Sequence, residues 1–474
     1  METKEKKVGL WGLVALTVTS VVGGGIFNLM SDMAKSAAVG PMIVSLVLSG
    51  MGMGIFVLCL ENLNNKLPEL DAGIYSYAKE GFGDFVGFNS AIGYWLSIVL
   101  GNVALGSLAL SALGYFIPAF GDGQTIWAVI GASILLWIMH FTILRGSDFA
   151  SKINGLIMIA KLVPLAIFVV ALLIAFNYDM FTADFWGTMN QGFDWGLVGP
   201  QIKGAMISAV WVFVGVEGSI VYSARAKDKA TVGRSVILSF AIITAIYLLT
   251  TVLSFAVMSQ GELATLGKPA MAYVLESVVG PWGAALINIG VAISAIGCWF
   301  ACIMFSGEIC FQAAKEGIFP KIFEKENKYK APVNALLISN GIIQFFFLSL
   351  LVNQSAYNFM ALLASSTMLV PYFFVSLSQA KLSYKWEGGL SKNVILGIIS
   401  TIYMGYCINA SGIEYILVTT FLFAPCMLFY MLACKQNNKK MFNKYELIGA
   451  LAILLLTLIT IVMVVNGTID IASM

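Results

Sequence analysis

Of the chain's 474 residues, 59% are apolar and 11% charged, against roughly 45–50% and about 25% in soluble domains. That much hydrocarbon excludes a water-soluble fold, and a net charge of +2 carried in short loops leaves no footprint for nucleic acid. A single histidine and no ligand-like cluster leave little from which to build a metal or acid–base centre, so neither an enzyme nor a cofactor is expected.

Apolar runs long enough to cross a hydrocarbon core of ~30 Å cover approximately 9–30, 41–60, 85–117, 126–144, 154–176, 202–222, 235–258, 283–312, 333–352, 357–379, 393–409, 412–433 and 446–466, thirteen in all. Placing the N-terminus in the cytoplasm puts almost every Lys and Arg in an inner loop, as the positive-inside rule requires. Only Lys35 and Lys268 then fall in outer loops, while Lys161 and Lys203 lie in spans. This predicts a C-terminus outside. Met1 to Lys7 is a short charged head running into a span the fold needs, so no cleavable leader is expected.

Span 1 is interrupted by Gly23-Gly24-Gly25. Each interior glycine costs about 1 kcal/mol of helix propensity relative to alanine, so three together predict local unwinding. Freed backbone amides inside a bilayer must line a cavity and find partners. The positive end of the half-helix that follows favours an anionic group such as an α-carboxylate. Close helix packing is the alternative use of such glycines, and it also applies to Gly50-x-Gly52-x-Gly54 in span 2, a stripe equally compatible with a homodimer. His140, at the inner end of span 4, reads as structural. Lys161 in span 5 precedes Pro164, a residue that frees a backbone carbonyl, and serves either as a fixed internal cation or as a titrating one.

Span 6 carries the second interruption, Gly215-Val216-Glu217-Gly218. A carboxylate inside a membrane costs at least ~2.5 kcal/mol on insertion scales and is a functional hypothesis by default. Trp211, six positions earlier, offers a π face to a cation. In span 8, Glu308 reads as a buried, snorkelling or helix-pairing carboxylate. The seven cysteines, including Cys298-x-x-x-Cys302, read as free packing thiols.

Two interrupted spans separated by five define the organisation. An odd number of spans per half inverts the second half, and paired breaks point to a substrate site at the bilayer midplane. The expected fold is all-α integral membrane: two inverted five-helix repeats (9–176 and 202–379) with broken spans 1 and 6, followed by three spans (393–466), within one membrane domain over 1–474.

The segments SVVGGGIFNL (20–29), ELDAGIYSYAKEGFGDFVGF (69–88), GYWLSIVLGNV (93–103), FTADFWG (181–187), VWVFVGVEGSIVYSARAK (210–227) and AAKEGIFPKIFEKEN (313–327) resemble the basic amino acid/polyamine antiporter family of the amino acid–polyamine–organocation superfamily, most of all its bacterial arginine:ornithine antiporters. The resemblance runs nearly end to end. It implies that Gly23, Gly24 and Gly25 hold the substrate carboxylate, with Gly215 at the facing break, and that Trp211 stacks on the cationic side chain. It further implies that Asn102 contacts the guanidinium or amine, and that Trp299 and Ser365 or Ser366 line the pocket. Tyr94 matches a gating tyrosine, Glu217 a carboxylate implicated in proton sensing or coupling, and Lys161 a lysine that elsewhere in the superfamily replaces a sodium ion. One departure is Gly24, where the arginine:agmatine branch has serine, which removes a hydroxyl from the carboxylate site.

The implied activity is exchange of arginine for ornithine across a bacterial inner or plasma membrane. The alternatives are exchange of an amino acid for its decarboxylated amine, such as histidine for histamine or lysine for cadaverine, and an amino-acid sensor on a transporter scaffold. The partners expected are cationic amino acids or amines and the lipid bilayer.

Overall fold

In a computed structural model of the chain, described over residues 9–70, 73–145, 148–189, 192–217, 229–351 and 356–469, the architecture is helical, and the only β pairing among the described residues is an isolated bridge between Glu326 and Pro332. The cause is the solvent. Lipid offers no partner to a backbone amide, so each apolar run satisfies its own hydrogen bonds.

The first apolar run forms two helices, α1 (Leu10–Val21) and α2 (Ile26–Ala34). After them come α3 (Val39–Lys66), the short α4 (Ile74–Phe82), α5 (Asp84–Gly114), α6 (Ile126–Ile143), α7 (Asp148–Ile174), α8 (Tyr178–Thr182) and α9 (Trp195–Val212). The second half holds α10 (Lys229–Ser254), α11 (Gln260–Thr265), α12 (Ala270–Val279), α13 (Pro281–Lys315), α14 (Val333–Ser349) and α15 (Ala356–Glu387), and the chain ends on α16 (Lys392–Ala410), α17 (Ile413–Gln436) and α18 (Lys444–Val465). Among the described residues nine helices are long and apolar enough to cross a membrane: α3, α5, α6, α10, α13, α15, α16, α17 and α18. The runs expected as spans 1, 5, 6 and 9 form the α1–α2 pair, α7, α9 and α14.

Polar chemistry marks the helix ends. Thr125 caps α6, Ser391 caps α16, and Asn443 with Glu446 forms a capping box on α18. Sequence reading missed α4, α8, α11 and α12, which lie between spans and are too short for a hydropathy window. Ser259 and Glu262, a capping box on α11, were the legible signal.

Helix α5 is the hub, packed along its length between α13 and α15, and most of its side chains are buried. In contrast, α18 packs chiefly on α17 and turns Leu451, Leu455, Leu458 and Val462 outward, where lipid tails are as apolar as the side chains. The glycine stripe of span 2 packs internally. A Cβ at Gly52 would run into the Tyr403 ring, one at Gly54 would come 3.1 Å from Phe240, and one at Gly50 would come 3.4 Å from Thr244.

Candidate functional site

Helix α1 stops where the glycines begin. The Val22 amide still reaches Val18 O at 2.8 Å, Gly23 turns back on Val21 O at 2.6 Å, and the helix restarts through Phe27 to Gly24 O and Asn28 to Gly25 O. Between these, the amides of Gly24, Gly25 and Ile26 meet no acceptor among the described residues. They form the positive end of α2, and an anion is the group they can accept. Gly24 is also closely packed, since a Cβ there would run into Leu108 on α5.

The second break follows α9. Phe213 bonds back to Val210 O, and Gly215 adopts φ +101°, a conformation that favours glycine. Gly215 N–H donates to the Tyr372 hydroxyl at 3.3 Å, and that hydroxyl donates to Glu217 Oε2 at 2.6 Å. Tyr94, from α5, hydrogen-bonds the same carboxyl group. Glu217 is 2% exposed, and hydroxyls from two helices and local backbone satisfy it. Gly218 lies outside the described residues, as does the side chain of Trp211, which is one residue from the end of α9.

One residue joins the breaks. The Tyr247 hydroxyl, on α10, lies 2.7 Å from Val212 O and 3.1 Å from Val21 O, the final carbonyls of α9 and α1. A broken helix leaves such carbonyls without partners, and one proton shared between two of them ties the half-helices together. Sequence analysis missed Tyr247 and Tyr372, because a tyrosine inside a span looks the same whether it packs or bonds. Tyr247→Phe is expected to destabilise the folded protein by about 1 kcal/mol, the net worth of a buried hydrogen bond. Thermal unfolding in detergent checks it; an unchanged midpoint would show that the hydroxyl contributes nothing.

The remaining predicted residues lie on α5, α7, α13 and α15. Asn102 is fully buried and donates Nδ2 to Ile98 O at 2.8 Å, while its Oδ1 has no partner, an acceptor suited to an N–H donor. Ser365 donates to Ala361 O, whereas the buried Ser366 hydroxyl has no partner. Trp299 meets Phe347 edge-on at 5.5 Å and packs beside Gly106, one turn beyond Asn102. Its indole N–H is buried without an acceptor. Lys161, 1% exposed, lies near Cys298 and Cys302 of α13. Cys298 Sγ in turn lies 3.5 Å from where Gly23 would carry a Cβ. Lys161 thus stands behind the first break, next to the cysteine that packs on Gly23.

His140 pairs with Asn340 at 2.9 Å, joining α6 to α14. Glu308 is exposed and accepts from Gln312, one turn on, so of the readings offered it is the exposed, snorkelling carboxylate and not a buried one, because it lies on an outward face of α13. The cysteines are free thiols. Among the described residues no group of His, Cys, Asp and Glu could hold a metal ion.

Paired helix breaks, the first with amides that meet no acceptor among the described residues, a buried carboxyl and unpartnered polar atoms, set in a helical bundle with apolar outer faces, define a multi-pass membrane protein with an internal polar site. The chain belongs to the amino acid permease family, whose model matches residues 8–453. It is 39% identical over 457 residues to the arginine/ornithine antiporter of Pseudomonas aeruginosa, covering 94% of each chain. It is 38% identical to the arginine/ornithine antiporter of Latilactobacillus sakei over 99% of each, and 37% identical to the arginine/agmatine antiporter of Chlamydia pneumoniae over 98% of each. Among solved structures it is similar to a Na+-coupled sialic acid symporter in a substrate-bound, outward-open state, with a TM-score of 0.55 and 12% identity over 87% of this chain and 90% of that one. At that identity the likeness concerns the fold alone.

Proposed function

We propose that this chain is a secondary active antiporter that exchanges external arginine for internal ornithine by alternating access. The observation that carries the reading is the first break: three amides that meet no acceptor among the described residues at the positive end of α2, tied to the second break through Tyr247 and packed on α5, the helix that carries an unpartnered Asn102 oxygen. An amino acid supplies the complements, a carboxylate for the amides and an N–H-bearing cation for the oxygen. Full-length relatives named as arginine/ornithine antiporters support this cargo.

In this reading Gly23, Gly24 and Gly25 hold the carboxylate, Trp211 stacks on the cationic side chain, and Asn102, Trp299 and Ser365 or Ser366 fix its far end. Gly215 allows the second turn, and Tyr94 and Glu217 couple occupancy to movement. Lys161 holds the place a sodium ion would otherwise take. Cation–π contacts worth ~0.5–2 kcal/mol desolvate a cation without trapping it as a buried ion pair would, and exchange requires that looseness. Two inverted five-helix repeats and three further spans, with the N-terminus inside and the C-terminus outside, fit the alternation of basic loops.

A second reading, exchange of arginine for its decarboxylated amine, has support from the Chlamydia pneumoniae relative named as an arginine/agmatine antiporter. Charge separates the two. Arginine and ornithine are both monocations, so their exchange moves no net charge, whereas export of a dication does and responds to membrane potential. The test is counterflow in proteoliposomes preloaded with ornithine, following labelled arginine with and without an imposed potential. Ornithine-driven uptake indifferent to potential is the expected result. Uptake driven only by agmatine, with a rate that follows potential, would overturn the arginine:ornithine assignment.

A further inference from the structure

A second cation contact lies above the paired breaks, on the side of the outer loops. Helix α2 runs from the break to Asp32, seven residues beyond Gly25, and α15 carries Tyr357 eight residues before Ser365. At 1.5 Å per residue each lies about 10–12 Å above the site, on the two helices that wall it. Lys268, from the loop between α11 and α12, reaches between them and sets its ammonium 3.7 Å from the centre of the Tyr357 ring. Tyr357 is only 4% exposed beneath it.

The backbone holds the lysine there. Ser111 of α5 donates to the Lys268 carbonyl at 2.8 Å, and Ala270 N–H donates to Asn28 Oδ1 of α2 at 3.2 Å. Asp32 and Asp122 favour the ammonium electrostatically and Lys35 opposes it, while Lys35 also pairs with Asp32 at 3.0 Å. An aromatic face beside a carboxylate is the environment a primary ammonium or guanidinium seeks. Lys268 has the same terminal group as a cationic amino acid.

We propose that Tyr357 and Asp32 form an outer docking station for the cationic end of an arriving amino acid, and that Lys268 fills it as a tethered surrogate while the outer mouth is closed. An arriving cation displaces the lysine, so entry of cargo and release of the lid are one event. The station rests on the reading that the cargo is cationic. The lid does not. Burial pushes the Lys268 ammonium down to about 8, so the lid loosens as pH rises through that value and the contact with Tyr357 loses its charge. The groups facing the lysine, Asp32, Lys35, Asp122 and Tyr357, set where that transition falls.

Cys298, beside the first break, is a native reporter. In substrate-free, right-side-out vesicles, alkylation of Cys298 by a membrane-impermeant thiol reagent is expected to speed up about fivefold in Lys268→Met and in Tyr357→Leu, the factor matching a ~1 kcal/mol cation–π contact. Lys268→Arg and Tyr357→Phe should keep the native rate, and Cys298→Ser identifies the signal. Raising the pH through about 8 should speed labelling of the native protein more than of Lys268→Met. Unchanged labelling in Lys268→Met would overturn the lid. For the station, Tyr357→Leu and Asp32→Asn should raise the external arginine concentration for half-maximal exchange with the maximal rate unchanged; no change in that concentration would overturn it. Labelling needs no cargo, so a wrong cargo assignment leaves the first result readable.

Discussion

Replacing Glu217 by leucine is expected to lower ornithine-driven arginine uptake more than about tenfold, while Glu217→Gln retains an intermediate rate. The Tyr372 hydroxyl donates to this carboxyl at 2.6 Å and accepts from Gly215 N–H, and Tyr94 reaches the same group. Leucine would leave two tyrosine hydroxyls facing an apolar side chain, and each buried polar group without a partner costs about 1–3 kcal/mol. Tenfold in rate corresponds to about 1.4 kcal/mol. Glutamine keeps an acceptor for Tyr372, so it preserves the position of the second break and removes only the ability to carry charge. The comparison separates two functions of one residue. A leucine variant that folds and transports at the native rate would reduce Glu217 to packing, and a glutamine variant as slow as leucine would assign the whole effect to charge.

The second large effect is at Gly24. Gly24→Ala is expected to cut uptake at least about tenfold, because the added carbon runs into Leu108 of α5 and overpacking a filled interior costs about 1–3 kcal/mol. The backbone there also carries amides that meet no acceptor among the described residues, so the loss alone does not say whether packing or anion binding failed. Leu108→Ala on the Gly24→Ala background decides it. Relief of the collision should restore most of the uptake, since alanine keeps its amide. A double variant as slow as the single one would show that relief at Leu108 is not enough, with Leu105 still 3.2 Å from the added carbon. A single variant at the native rate would remove Gly24 from the site. Uptake is read against thermal unfolding in detergent, so that loss of fold is not counted as loss of transport.

The parts of this protein legible in the sequence are those whose physics is local. Apolar runs announce helices in lipid because the backbone has no other partner there, and three consecutive glycines announce a break because each weakens the helix at its own position. Glu217 stood out in the same way, as a carboxylate in a run that penalises charge. Helix ends were less legible: α15 runs on to Glu387, well past its apolar stretch, since a helix can leave the hydrocarbon without unwinding.

Long-range contacts decided the rest. Tyr247 bonds carbonyls 226 and 35 positions away, and Tyr372 reaches a carboxyl 155 positions away; nothing near either tyrosine in the chain separates it from a packing residue. The Gly50, Gly52 and Gly54 stripe read equally well as an oligomer face, and only Thr244, Tyr403 and Phe240 show it filled from within. Lys268 looked like an ordinary loop charge until α15 brought Tyr357 beneath it. Composition and local backbone preference thus determined where this chain is helical and apolar and where its helices break. Which buried polar groups satisfy one another was decided by the tertiary structure, because hydrogen bonds and ring contacts depend on distances that only packing sets.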